Sequence, residues 1–193
     1  MSAAAPLVLI GGGARSGKSR FALVRGAAAI APGGRGLFVA TAEPSDDEMR
    51  DRIARHRRER EERAAGGPRF RTVEEPIALP EALAAADGAE QVVVVDCLTL
   101  WLSNLLVRGA GVDEVETRLA ALVEGLRARR VPIVMVTNEV GMGLVPETPL
   151  GRAFRDVAGV AHQRLAAAAD EIYFAALGTV VRLRPAPLAL VAP

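Results

Sequence analysis

Short apolar runs punctuate the chain at Leu7–Ile10, Leu37–Ala40, Val92–Val95, Ile133–Val136 and Ile172–Phe174, with another at Thr179–Leu183. Within most of them the apolar residues are continuous rather than alternating, which predicts strands buried on both faces. Segments of helical character lie between most of these runs. Together they predict an α/β fold, a largely parallel sheet with helices on both faces. Thr148 is a good N-cap with Pro149 at the first helical position. Leu150, Phe154, Val157, Ala161 and Leu165 follow at helical spacing as one apolar stripe. A second helix is expected from about Ser45 to Arg63, charged almost throughout. Ala64–Pro68 reads as a loop and Pro185–Pro193 as a loose tail. With no internal repeat and no linker, residues 1–193 read as one domain.

The run Leu7–Ile10 leads into Gly12-Gly13-Ala14-Arg15-Ser16-Gly17-Lys18-Ser19, which fits G-x-x-x-x-G-K-[ST]. A buried strand, a glycine-rich turn and then a helix are what a phosphate cradle needs. Glycines let backbone N–H groups face a polyphosphate, Lys18 can reach the β- and γ-phosphates, and the Ser19 hydroxyl can ligate Mg²⁺. The alanine-rich segment from Arg20 to Ile30 is the helix whose positive end faces the anion. A nucleoside triphosphate is the expected ligand, and the fold expected is P-loop NTPase-like.

Val92–Val95 ends in Asp96, at the edge of a parallel sheet where ligands gather. A carboxylate there can hold Mg²⁺ directly or through water, or it can simply cap the helix that begins near Thr99. Thr137-Asn138-Glu139 ends the next strand on the same edge, so its polar groups can also face the site, and spacing alone assigns these residues no role.

Composition removes several alternatives. A net charge of +1 and only 4% aromatic residues argue against a nucleic-acid binder. The basic stretch Arg50–Arg63 alternates in sign, with Asp51–Arg55, Arg55–Glu59, Arg58–Glu62 and Glu59–Arg63 at i,i+4, the pattern of a solvated helix. Cys97 is the only cysteine, which excludes an intrachain disulfide or CxxC metal site and fits a cytoplasmic protein. No signal peptide is expected, and Val92–Val107 is too short and too interrupted to span a membrane.

Met49, Ile53 and His56 fall at i, i+4 and i+7, so His56 shares a face with the apolar anchors of its charged helix. A packed structural histidine and a nucleophile beside a phosphate site both fit that position. Nearby guanidinium groups disfavour imidazolium and keep the nucleophilic neutral form. His162 lies off the main stripe of the C-terminal helix and reads as structural or solvent-facing.

Three segments carry a resemblance: Gly12–Ser19 with Arg20; Asp46-Asp47-Glu48-Met49 leading to Arg52-Ile53 and His56-Arg57; and Thr137–Gly143 with Val145-Pro146-Glu147 and Phe154-Arg155-Asp156. In this order, and over most of its length, the chain resembles the bifunctional adenosylcobinamide kinase / adenosylcobinamide-phosphate guanylyltransferases of cobalamin nucleotide-loop assembly. The resemblance implies phosphorylation of the aminopropanol hydroxyl of adenosylcobinamide by ATP or GTP. It also implies transfer of GMP from GTP to the adenosylcobinamide phosphate through a guanylyl-histidine, releasing pyrophosphate. The nucleophilic histidine carries over to His56. Nucleotide contacts carry over to Gly12–Ser19 and Arg20, to Thr41, Ala42 and Glu43, to Arg57, Arg58, Glu59 and Arg60, and to Glu74 and Asp96. The family is trimeric, so a homotrimer is implied. One departure is visible: Glu61–Gly67 is inserted, and Phe70 stands where Trp is usual.

Two other functions compete on the residues alone. A small-molecule kinase with the same loop would leave His56 without a covalent role. An NTP-driven module acting on nucleic acid would need a basic, aromatic surface that this chain lacks.

Overall fold

The computed structural model describes residues 5–44, 47, 50–51, 53–55, 57–58, 69–86 and 88–191. Its frame is a sheet of β1 (Leu7–Gly12), β2 (Arg35–Ala40), β3 (Arg69–Glu74), β4 (Val93–Asp96), β5 (Ile133–Val136), β6 (Glu171–Ala176), β7 (Thr179–Arg184) and β8 (Ala189–Val191). Their order across the sheet is β3-β2-β4-β5-β1-β6-β7-β8. β3 to β6 run parallel, and β7 and β8 add an antiparallel edge. The expected α/β architecture is present.

Helices are α1 (Lys18–Ala27), α2 (Leu79–Ala86), α3 (Leu98–Val107), α4 (Val112–Arg127) and α5 (Pro149–Ala168). The two-residue period of the strands divides the core between the two faces. Val8, Ile10, Phe38, Val92, Val94, Val134 and Val136 pack with Phe21 and Ala22 of α1. Leu7, Leu9, Leu37, Val39, Val93, Val95, Ile133 and Met135 pack with α2 to α5, around the fully buried Trp101.

α5 starts as its sequence requires. Thr148 Oγ1 accepts from Gly151 N at 3.1 Å, and Pro149 opens the helix. Val157, Ala161 and Leu165 of the expected stripe are buried and Phe154 packs against them, but Leu150, in the first turn, is 48% exposed.

Three segments depart from expectation or lie beyond it. The tail is not wholly loose, because Ala189–Val191 pairs with β7. β3 is a strand although its apolar residues are only Phe70 and Val73. As an edge strand it needs few, and Phe70 packs on the α1-face core, 2.6 Å from where a Cβ of Gly36 would stand. Helical structure is present at residues 47, 50–51, 53–55 and 57–58, within the charged segment. The ion pair described inside it is Arg50–Asp47 at 2.9 Å. His56, Glu59, Arg60, the Ala64–Pro68 loop and the inserted Glu61–Gly67 lie outside the described residues.

Candidate active site

The glycine-rich loop lies at the C-terminal end of β1, where the strand order switches. Gly12 has φ +153°, and a Cβ there would run into the Ala175 carbonyl of neighbouring β6. Gly17, with φ +94°, is the N-cap of α1. Because glycine offers no side-chain cap and the first turn holds no acidic residue, the N–H groups of the helix start remain directed at the loop. Lys18 is buried and folds back, its Nζ donating to Gly13 O at 2.9 Å. The Ser16 hydroxyl is buried with no hydrogen-bond partner among the described residues. Arg15, itself at φ +55°, and Ala14 and Arg20 are exposed, while Ser19 is half-buried. Donors gathered at the loop and the start of α1 favour an anion.

Strand register sets the rest of the site. Ile10, Val136, Asp96, Ala40 and Glu74 stand at one level across β1, β5, β4, β2 and β3. β5 therefore separates Asp96 from the loop strand. At ~4.8 Å per strand, Asp96 is about 10 Å along the edge from Ile10, and Glu74 about 19 Å. Asp96 shares its face with Val94, the face on which α1 packs. The N-cap of α3 is Cys97, with no side-chain cap bond, so Asp96 is not used as a cap.

Thr41 joins the ends of β2 and β4. Its hydroxyl donates to Cys97 O and accepts from Cys97 N, both at 2.7 Å, and Asn104 Nδ2 donates to Thr41 O at 2.8 Å. Ala42 follows, half-buried, and Glu43 pairs with Arg108. Burial first, and the Asp96 carboxylate next, push the Cys97 thiol up to about 11, against the smaller pull of the Lys18 ammonium. Cys97 therefore stays a neutral thiol that fills space beside the site. Arg57 pairs with Glu74 and so ties the segment that carries His56 to the β3 end of the sheet, while Arg58 is exposed.

The end of β5 lies on this edge, as its sequence position suggests, and the structure adds the contacts that spacing could not assign. Thr137 N donates to Ile10 O and Glu139 N to Gly12 O, at 2.9 and 3.1 Å, so this segment lies against the phosphate loop. Asn138 Nδ2 donates to Thr99 Oγ1 at 2.9 Å. His162 is not solvent-facing: its side chain is 18% exposed, with Nε2 2.7 Å from Thr137 Oγ1 and Nδ1 3.7 Å from Glu139 Oε2. Burial depresses its pKa more than Glu139 raises it. A polar triplet after a strand was the available signal for Thr137 to Glu139. Nothing local pointed to His162.

Comparison with known proteins decides what this site acts on. A family profile described as cobinamide kinase / cobinamide phosphate guanyltransferase matches residues 8–183. The chain belongs to that family. It is accordingly an enzyme that phosphorylates adenosylcobinamide and transfers GMP from GTP to the product. It is 40% identical over 190 positions to the bifunctional adenosylcobalamin biosynthesis protein CobU of Escherichia coli K12, covering 92% of this chain and 99% of that one. Against the Salmonella typhimurium LT2 protein of the same description the identity is 35% over 191 positions, with 92% and 99% covered. Against the Pseudomonas aeruginosa protein CobP it is 39% over 180 positions, with 93% and 98% covered. Family membership removes the kinase-only alternative and accounts for a phosphate loop and a polar sheet edge in one chain. Among the described residues, no helix is long and apolar enough to cross a membrane.

Proposed function

We propose that one loop, Gly12–Ser19, holds the triphosphate for both half-reactions and that His56 carries the guanylyl group between them. The observation that supports a shared site is the loop itself, which gathers uncapped α1, buried Lys18 and the unpartnered Ser16 hydroxyl in one stretch of chain. In the first transfer Lys18 and the α1 N-terminus stabilise charge developing on the γ-phosphoryl group. In the second, a neutral His56 nitrogen attacks the α-phosphorus and the α–β bridging bond breaks, so pyrophosphate leaves. An oxygen of adenosylcobinamide phosphate then attacks the same phosphorus and frees the histidine.

Mg²⁺ fits the donor set. Ser19 offers a hydroxyl at the loop and Asp96 a carboxylate not used for capping. No cluster of three or more His, Cys, Asp or Glu able to hold a metal is present among the described residues, in keeping with an ion held mostly by phosphate oxygens and water. When bound, the ion would neutralise phosphate charge.

Thr41, Ala42 and Glu43 at the β2 end, and Arg57, Arg58, Glu59, Arg60 and Glu74 towards β3, are assigned to the rest of the nucleotide. The Arg57–Glu74 pair stands on the order of four strands from β1. Guanylylation therefore requires the His56 segment and the triphosphate to approach one another along the sheet edge. A homotrimer in the cytoplasm, with adenosylcobinamide and its phosphate, ATP and GTP as partners and no nucleic acid, completes the proposal.

Incubation with α-labelled GTP tests it. Acid-labile, base-stable label should map to His56 and disappear in His56→Asn, while phosphorylation of adenosylcobinamide persists. Label on His162, or label retained by His56→Asn, overturns the assignment.

A further inference from the structure

The phosphoryl transfer needs a group to receive the proton of the acceptor hydroxyl, and the carboxylates at the strand ends can be sorted by what they already do. At the end of β2, Glu43 pairs with Arg108. After β3, Glu74 pairs with Arg57, and Glu75 Oε1 accepts from Ile77 N and Ala78 N at 3.0 and 2.6 Å. Asp96 is assigned to the metal. Glu139 remains, joined to the phosphate loop through its own N–H on Gly12 O.

The Glu139 side chain is held but not spent. Oε1 accepts from Gly141 N at 2.6 Å, and Oε2 faces His162 Nδ1 at 3.7 Å, with the carboxylate 28% exposed. His162 is fixed at its other nitrogen by the buried Thr137 hydroxyl. This chain of contacts runs from α5 through β5 to the first glycine of the loop, on the face opposite α1. Asp96 and Ser19 lie on the α1 side. Metal and proton acceptor would thus flank the γ-phosphate from two sides.

We propose that Glu139 receives the proton of the acceptor hydroxyl in the kinase half-reaction, and that His162 is a positioning residue that orients its carboxylate. As the hydroxyl oxygen bonds to the γ-phosphorus, the bond from that phosphorus to the β–γ bridging oxygen breaks. The nucleoside diphosphate leaves with the electron pair, and the hydroxyl proton passes to Glu139. The proposal rests on Gly12–Ser19 being the kinase phosphate site.

The surroundings keep the pair simple. β1 and α3 carry no charged residue, Glu116 of α4 is engaged by Arg164, and Arg155 donates to Gly141 O; Asp156 on α5 is exposed. Among the described residues Glu139 is the carboxylate that faces His162, and burial, the larger influence, disfavours the imidazolium. Protonation of His162 at low pH would draw Oε2 into an ion pair and weaken Glu139 as a base.

The kinase half-reaction alone, with adenosylcobinamide and ATP, tests the assignment. Glu139→Gln should lower kcat by about a hundredfold or more, the usual scale for a lost general base. Affinity for a non-hydrolysable ATP analogue should change less than threefold, and the melting curve should stay cooperative. Formate should restore part of the rate in Glu139→Ala. His162→Ala should lower kcat with little change in KM. His162→Asn, which keeps a neutral hydrogen-bonding group, should restore most of that loss and move the acid limb of the pH profile to lower pH. A Glu139→Gln kcat within threefold of wild type overturns the proposal. So does equal loss of analogue binding, which would make Glu139 a brace for Gly141. If the analogue fails to bind in Lys18-intact wild type, the shared loop itself is wrong, a separate failure.

Discussion

Replacing Gly12 with alanine isolates the geometric demand at the head of the phosphate loop. Gly12 has φ +153°, open in practice only to glycine, and lies in register with Ala175 of β6. A Cβ would meet the Ala175 carbonyl oxygen, stand 3.2 Å from its carbon and come within 2.9 Å of Ser16 Oγ. Neither neighbour is the tip of a flexible chain: one is backbone in a paired strand, the other a buried hydroxyl. The backbone term is about 1–3 kcal/mol and the overpacking term about 1–3 kcal/mol. Together they give about 2–6 kcal/mol, hence a fall in Tm of roughly 5–20 °C for a chain of this size. Gly13→Ala is the internal control, since nothing lies within 4 Å of its added Cβ and its φ is not positive. Its Tm should move by no more than a degree or two. Thermal unfolding followed by circular dichroism at fixed protein concentration reads both. Equal Tm for Gly12→Ala and wild type, or equal losses in the two variants, would refute the steric argument.

Three further outcomes follow from the site. Lys18→Ala, in a folded protein, should abolish kinase activity and GMP transfer together, because a charge-assisted phosphate contact is lost from the loop both reactions use; survival of either activity near wild-type rate would break the single-loop proposal. Asp96→Asn should lower activity and raise the Mg²⁺ concentration needed for half-maximal rate, and an unchanged Mg²⁺ titration would remove Asp96 from the metal. His162 has a folded pKa below its unfolded value of about 6.5. The stability it contributes is therefore full above pH 6.5 and lost as pH falls towards the folded pKa. Denaturant melts of wild type and His162→Asn from pH 7.5 to 5 should show wild type losing more stability; parallel curves would contradict a buried neutral imidazole.

Much of this protein is written locally. The continuous apolar runs mark β1, β2, β4, β5 and β6, because a strand buried on both faces needs no alternation. Gly12–Ser19 announces the phosphate loop, since a tight turn, a lysine and a helix start must be contiguous to surround a phosphate. Thr148-Pro149 marks the start of α5 for the same local reason. Other features depend on who sits beside whom. Side-chain period specifies which face a residue occupies, but not which strand lies next to it, so the placement of β5 between β1 and β4 was not readable. β3 is held by pairing with β2 along its whole length and by Phe70 over Gly36, not by an apolar pattern of its own. Ala189–Val191 becomes a strand only because β7 offers it an edge. His162 looked remote because its partner Thr137 is 25 residues away and on another element. The sequence by itself determined the buried strands, the loop and the family; the parallel crossovers, which bring distant strand ends to one level, decided that Thr137, Glu139 and His162 stand beside the loop while Glu74 stands at the far edge.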